Sequence, residues 1–301
     1  MDNKYTECRL CARECGADRT RGELGFCQSS SEARIARAAL HAWEEPPISA
    51  TRGSGTVFFV GCSLGCSFCQ NREISRTNTK CEQGIPVTPE RLSDIMLSLE
   101  RDGAHNINFV TPTHFAPSVI SATKKARAEG LKIPIVYNTG SYDSLETIQS
   151  LDGIVDIYLL DYKFHRESTA KALARAQNYP EVARAVIREA HAQKPTPIFD
   201  ENGIMQSGII VRILLLPGHL AEAKLSVKYL YETYGDSIYI SLMNQYTPMP
   251  NMQAPLNRRV TRAEYDELVD YALARGVKNA FIQSEGTADE SYIPPFDLTN
   301  T

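Results

Sequence analysis

Apolar and polar positions alternate along the chain in two rhythms, and the switching between them predicts a repeating strand and helix order from residue 56 onward. Thr56-Val57-Phe58-Phe59-Val60 is a short β-branched and aromatic run closed by Gly61, which reads as a buried strand. Further on, Thr88-Pro89-Glu90 offers an N-cap followed by proline at the first helical position, and Leu92, Ile95, Met96 and Leu99 then recur at helical spacing. Residues 107–110, 133–137, 155–160, 209–216 and 237–242 read as strands. Helices are expected over 117–129, 144–151 and 167–193, the last broken near Asn178-Tyr179-Pro180, with another between the strands at 209 and 237. Asn202-Gly203 supplies a hairpin tip, Thr261 and Glu264 a capping box, and residues 278–283 a seventh strand. Six or seven strand–helix units predict an α/β fold, an incomplete or irregular barrel rather than a flat doubly wound sheet.

Residues 1–55 do not share this rhythm. Their clustered cysteines, the Gly22-Glu23-Leu24-Gly25 turn and Pro46-Pro47 predict a Cys-rich N-terminal extension, distinct from a barrel over 56–301. At 301 residues and 43% hydrophobic, the chain can bury a large core. Its longest apolar runs are strand-length, so no membrane span is expected, and Met1 to Arg13 lacks the apolar segment of a secretory signal; the expected location is cytoplasmic. With 32 basic against 36 acidic groups, the net charge of −4 argues against a nucleic-acid surface built on phosphate neutralisation.

Composition changes the picture most through cysteine. Of eight cysteines, Cys8, Cys11, Cys15 and Cys27 fall in the first 27 residues, Cys62, Cys66 and Cys69 within eight positions, and Cys81 stands alone without an assigned role. In a reducing compartment such groups read as metal ligands or reactive thiols. Three thiolates at x3 and x2 spacing, directly after a strand, can each take one corner iron of a cuboidal iron–sulfur cluster and leave a fourth iron open. Gly61 and Gly65 let the backbone close around it. The other reading is a structural zinc site completed by Cys81. The four N-terminal thiols could close a zinc site or hold a second iron–sulfur cluster, with Arg9, Arg13, Arg19 and Arg21 offsetting the charge.

Cys62-x3-Cys66-x-Phe68-Cys69 resembles the hallmark of the radical S-adenosylmethionine (SAM) superfamily. The resemblance implies a [4Fe-4S] cluster on Cys62, Cys66 and Cys69, with SAM chelating the open iron and Phe68 against its adenine. It also implies reductive cleavage of SAM to methionine and a 5′-deoxyadenosyl radical, fed by a low-potential donor such as flavodoxin or ferredoxin. Together with Cys8-x2-Cys11-x3-Cys15, Thr111-Pro112-Thr113-His114, the run from Val211 to His219 and Leu242-Met243-Asn244-Gln245-Tyr246, the chain is similar to pyruvate formate-lyase-activating-enzyme-like proteins over nearly its whole length. That likeness implies a partial (β/α)6 TIM-type barrel.

Barrel enzymes carry their chemistry at the C-terminal ends of the strands, and these ends are polar here. By position, the resemblance puts Thr111 and Thr113 at the SAM amino group, Asn138 and Ser141 near the ribose, and Asp161 and Lys163 beside SAM. Lys163 or Arg212 would pair with the SAM carboxylate, though Arg212 reads equally well as a barrel-interior ion pair. His114, His219 and Tyr246 are the candidate catalytic residues; the other histidines, Trp43 and most tyrosines read as structural. The expected activity is hydrogen abstraction from a substrate, with activation of a glycyl-radical protein as one outcome. Radical modification of a small molecule or peptide, or a non-catalytic zinc-binding role, are the alternatives.

Overall fold

The computed structural model describes residues 4–75, 84–283, 296 and 298; Cys81 lies outside them. Seven strands run parallel: β2 (Ser54–Phe59), β4 (Ile107–Val110), β5 (Ile135–Thr139), β6 (Ile157–Asp161), β8 (Met205–Leu214), β9 (Tyr239–Met243) and β10 (Ala280–Ile282). Each follows its predecessor in space, so the sheet curls as a partial (β/α) barrel open between β10 and β2. The strands are buried on both faces, which is why they read as near-continuous apolar runs.

Helices cover the outside as their periodicity predicts. The helix Pro89–Arg101 is capped by Thr88, whose hydroxyl accepts from the Arg91 N–H, and it buries Leu92, Ile95, Met96 and Leu99 on one face. Burial of each such side chain stabilises the fold by roughly 1.5–3 kcal/mol. The long helical stretch divides into Glu167–Ala174 and Tyr179–Gln193, and Thr261 with Glu264 closes a complete capping box on Arg262–Ala274. β7 (Ile198–Phe199) folds back antiparallel on β8 across the Asn202-Gly203 tip. Among the described residues no helix is long and apolar enough to cross a membrane.

The N-terminal 55 residues contribute to the sheet a strand that the rhythm did not predict. β1 (Ala33–His41) pairs antiparallel with β2 and with the short β3 (Ile85–Val87), extending the sheet beyond its first parallel strand. Six of its nine residues are alanine or arginine, so alternation is weak and pairing with β2 supplies what propensity does not. The extension and the barrel therefore share one sheet.

Candidate functional site

Gly61, at φ +90°, turns the chain out of β2 into the loop that carries Cys62, Cys66 and Cys69. Backbone bonds hold the loop: the Gly65 and Ser67 N–H groups donate to the carbonyls of Ala174 (3.2 Å) and Leu173 (2.7 Å). A Cβ on Gly140 would lie 2.7 Å from Leu64 Cδ1, so the loop packs closely against the end of β5. Gln70 Nε2 donates to the Gln245 carbonyl at 2.9 Å and ties the loop to the end of β9.

The three cysteines line a cleft of about 260 Å³ that takes in the C-terminal ends of the central strands. Thr111 and Thr113 enter it from the end of β4, Asn138 from β5, Asp161 and Lys163 from β6, and Arg212 from β8. Phe68 and Tyr246 supply an aromatic wall, their rings 6.2 Å apart, with Phe164 edge-on to Phe68 at 6.1 Å. Thr111 is held at φ +58°, a region uncommon for a β-branched residue, immediately where β4 meets the cleft.

A buried charge network forms the floor. Asp161 and Arg212 are register partners on β6 and β8, and Arg212 Nε donates to Asp161 Oδ1 at 2.8 Å. Its other nitrogens reach Asn138 Oδ1 (2.6 Å) and Glu44 Oε2 (3.3 Å), so the barrel-interior ion pair is what forms. Lys163 Nζ donates to Asp161 Oδ2 at 2.6 Å. Burial works to raise the Asp161 carboxyl, but Arg212 and Lys163 together hold it below the ordinary carboxylate range. Burial also disfavours charge on Lys163, and Asp161 and Cys66 outweigh it, so the ammonium stays protonated beside the thiols. The Cys62 thiol is pushed well up by burial and by the charges of Cys69 and Cys66, while Lys163 opposes the shift.

Three of the predicted residues do not line the cleft. His114 is buried, bonded through Nε2 to the Val60 carbonyl at 2.7 Å, and burial with Arg19 pushes it down to about 3, so it is neutral and braces the end of β2. His219 sits at the start of the helix Leu220–Tyr234, 3.6 Å from Glu222, and lines a separate small cavity. Ser141, at φ +58°, is fully buried with its hydroxyl unpartnered. Thr113 is shared with a buried network, its hydroxyl 3.1 Å from that of Thr139, which donates to Asp143. The Tyr246 ring faces the cleft, but its hydroxyl donates to the Leu256 carbonyl.

Conversely, His41, the last residue of β1, and Trp43 and Glu44 just after it line the cleft although none reads as a site residue in sequence. Glu44 accepts from Asn108 and Arg212, and burial pushes its carboxyl up against the pull of Arg212. The only sequence signal was the paired Glu44-Glu45 in an otherwise uncharged stretch before Pro46-Pro47.

The N-terminal cysteines occupy a different setting. Cys8, Cys11 and Cys27 are buried and Cys15 is exposed, and none lines the cleft. Their segment docks on the loop after β5: Cys11 bridges to Asp143, and the Ser144 N–H donates to the Leu10 carbonyl at 3.2 Å. Among the described residues, no three His, Cys, Asp or Glu side chains are grouped so as to hold a single metal ion.

The sequence model of the radical SAM superfamily matches residues 56–222, more than half of the chain and the whole of the cysteine loop and its cleft through β8. The chain belongs to the radical SAM superfamily. An uncharacterized protein of Methanocaldococcus jannaschii, MJ0674, is 30% identical over 277 residues, which is 90% of this chain and 75% of that protein. Among solved structures, SuiB of Streptococcus suis bound to S-adenosylmethionine is 13% identical, with a TM-score of 0.49 over 75% of this chain and 48% of SuiB. This chain therefore matches about half the length of SuiB. A domain of pyruvate-formate lyase-activating enzyme from Bacteroides vulgatus is 17% identical, with a TM-score of 0.43 over 60% of this chain and all of that domain.

Radical SAM enzymes use a [4Fe-4S] cluster and S-adenosylmethionine. The cleft fits that pair. Three soft thiols sit on one side of an open cavity, crowded enough that their charges oppose one another, which a cationic iron centre relieves. A cuboidal cluster gives each thiolate its own iron, so convergence on one ion is not required of them.

Proposed function

We propose that Cys62, Cys66 and Cys69 hold the [4Fe-4S] cluster, that SAM occupies the cleft beside them, and that the enzyme acts on its substrate as an activating-enzyme-like hydrogen abstractor. The observation that carries this reading is the placement of the three thiols at the β2 end of a cleft whose other strand ends are polar. When bound, the cluster supplies the electron that cleaves SAM to methionine and the 5′-deoxyadenosyl radical that takes a hydrogen atom from the substrate.

The chain's own residues prepare the cleft for that chemistry. Lys163 keeps a positive charge beside Cys62 and Cys66, and the N–H groups it does not give to Asp161 can serve the SAM carboxylate, while Arg212 gives its donors to Asp161, Asn138 and Glu44. Asp161 orients Lys163, and Phe68 with Tyr246 offers an apolar face for the adenine. Thr111 and Asn138 present short hydrogen-bonding groups to the polar parts of SAM.

The substrate reading favoured is a polypeptide carrying a glycine to be converted to a radical. The Asp161-Tyr162-Lys163 element supports it, as does the lining of the cleft by Trp43, which is 58% exposed. The test is anaerobic: enzyme reconstituted with iron and sulfide, then reduced in the presence of SAM, is expected to release 5′-deoxyadenosine. Adding a glycyl-radical partner protein is expected to give a doublet EPR signal on that partner. Release of 5′-deoxyadenosine by Cys66→Ala at the wild-type rate would overturn the assignment of the loop. Deuterium transfer from a small molecule, with no EPR signal on the partner, would replace the polypeptide with that molecule.

A further inference from the structure

The loop that carries Cys62, Cys66 and Cys69 has a second side. Within it Gly65 and Ser67 do not line the cleft, and their N–H groups bond instead to the carbonyls of Ala174 and Leu173 at the end of the helix Glu167–Ala174. Ser67 is exposed, and neighbouring Cα atoms are about 3.8 Å apart, so solvent on that side begins one residue from Cys66. An electron can therefore approach these thiols without passing through the cleft.

The surface around Ser67 is basic. Lys171 and Arg175 are exposed, and the Arg175 N–H closes the last helical bond onto the Lys171 carbonyl, so the two stand one turn apart. Arg175 Cδ is 3.6 Å from where a Cβ on Gly65 would sit. Arg13 joins them from the N-terminal segment, its Nε donating to the Ser63 carbonyl at 2.9 Å and its Nη1 and Nη2 to the carbonyls of Arg175 (2.5 Å) and Ala174 (3.2 Å). Those acceptors are neutral, so the guanidinium keeps its charge. Among the described residues none of these three cations forms an ion pair. Glu14 adjoins Arg13 in sequence and offsets one charge, and Glu167 begins the helix about 10 Å along its axis from the end that holds the loop. The patch stays positive on a chain whose net charge is −4. Phe26 gives it an apolar centre: it is 37% exposed, its ring centroid lies 3.7 Å from the Arg13 guanidinium carbon, and its Cζ is 3.0 Å from the Cβ position of Gly65.

We propose that this face, formed by Arg13, Phe26, Ser67, Lys171 and Arg175, is the docking surface for a small acidic one-electron carrier protein. The proposal rests on the cluster assignment made above. In the encounter the carrier loses one electron and the cluster gains it; no bond forms or breaks, and no proton moves. Charge selects the occupant. Electron-transfer encounters bury little surface, under about 1,200 Å², and complementary charge steers them. A chain of net −4 repels an acidic carrier overall, so a local basic face decides where it lands. Because that face is separate from the cleft, carrier and substrate can be bound together.

Binding and electron delivery by purified flavodoxin and plant-type ferredoxin test this, with dithionite as the small reductant. Calorimetric titration of the full chain with oxidised carrier is expected to show binding that weakens as salt rises. The Lys171→Glu/Arg175→Glu variant, altered only at exposed side chains, is expected to bind roughly tenfold or more weaker at low ionic strength. Cluster reduction by reduced carrier, followed by absorbance, is expected to slow by a similar factor. Cluster content, thermal unfolding and dithionite-driven release of 5′-deoxyadenosine are expected to stay at wild-type levels. Lys278→Glu, whose side chain is 79% exposed before β10, serves as the control and is expected to leave carrier binding unchanged. Equal binding by the double variant and wild type overturns the proposal, as does a wild type that neither carrier binds. Loss of binding in Trp43→Glu but not in the double variant places the carrier over the cleft and overturns it too. Wild type that fails to release 5′-deoxyadenosine even with dithionite counts against the function proposed above, while the titrations still decide this surface.

Discussion

The two cysteine loops of this chain lie back to back and are built for opposite ends. The central loop presents three thiols to an open cleft, among side chains from four strand ends and beside a lysine held positive by Asp161. The N-terminal loop buries three of its four thiols away from that cleft, under an arginine whose polar partners are carbonyls and a sulfur. Each loop also has its own buried arginine. Arg212 is compensated by carboxylates of Asp161 and Glu44, and Arg19 by none among the described residues. The difference teaches that a cysteine cluster in sequence does not by itself mark a cleft: only the central loop sets its thiols beside space for another molecule.

The largest effect that would sharpen this comparison is functional. Cys66→Ala is expected to reduce 5′-deoxyadenosine release to the level of a no-enzyme control, while Cys11→Ala retains it when a strong chemical reductant is supplied. Equal losses in both would erase the distinction between the loops. Next in size is Arg212→Leu, which strands the buried Glu44 carboxylate and leaves Asp161 with Lys163 alone, and is expected to cost about 3–5 kcal/mol in urea unfolding. Arg19→Leu in metal-free protein strands only neutral acceptors and is expected to cost about 1–3 kcal/mol. A larger loss for Arg19 than for Arg212 would break the contrast.

Gly61→Ala tests the seam between the loops. At φ +90° and with Ser29 Oγ and the Cys27 carbonyl 2.4 and 2.7 Å from the new methyl position, it is expected to destabilise by about 1–3 kcal/mol and to loosen the N-terminal loop in hydrogen exchange. The last effect concerns pH and is smallest near neutrality. His114, neutral in the fold and depressed to about 3, loses stability for the protein as pH falls from its unfolded value near 6.5, because the unfolded chain takes up the proton first. Within that window wild type is expected to lose up to about 1.4 kcal/mol per pH unit more than His114→Gln, measured by thermal unfolding. Parallel pH profiles would show that His114 is not buried as described.

Much of the barrel was legible because its strands are buried on both faces and its helices on one, so two periods of hydrophobicity survive in the sequence. The helix at Pro89, the split at Asn178 and the Thr261 capping box fall where local chemistry puts them. β1 escaped because an alanine- and arginine-rich strand has little propensity of its own and forms by pairing with β2. Its invisibility hid Glu44 and Trp43, which reach the cleft because the chain after β1 crosses it. The histidines misled in the other direction: His114 and His219 do follow strands, yet one turns inward beneath the end of β2 and the other caps a helix.

The spacing of Cys62, Cys66 and Cys69 after a strand was set by the sequence alone, since three ligands within one short loop need no distant partner to be close. So was the polar character of the strand ends. The tertiary structure decided what no local pattern encodes: that Arg212 gives its fork to Asp161, Asn138 and Glu44 from three separate parts of the chain, while Lys163, itself paired with Asp161, lines the cleft beside it. It also decided that Cys27 meets Gly61. Contacts between residues far apart in the chain depend on strand register and loop path, and those are fixed only when the whole sheet closes its core.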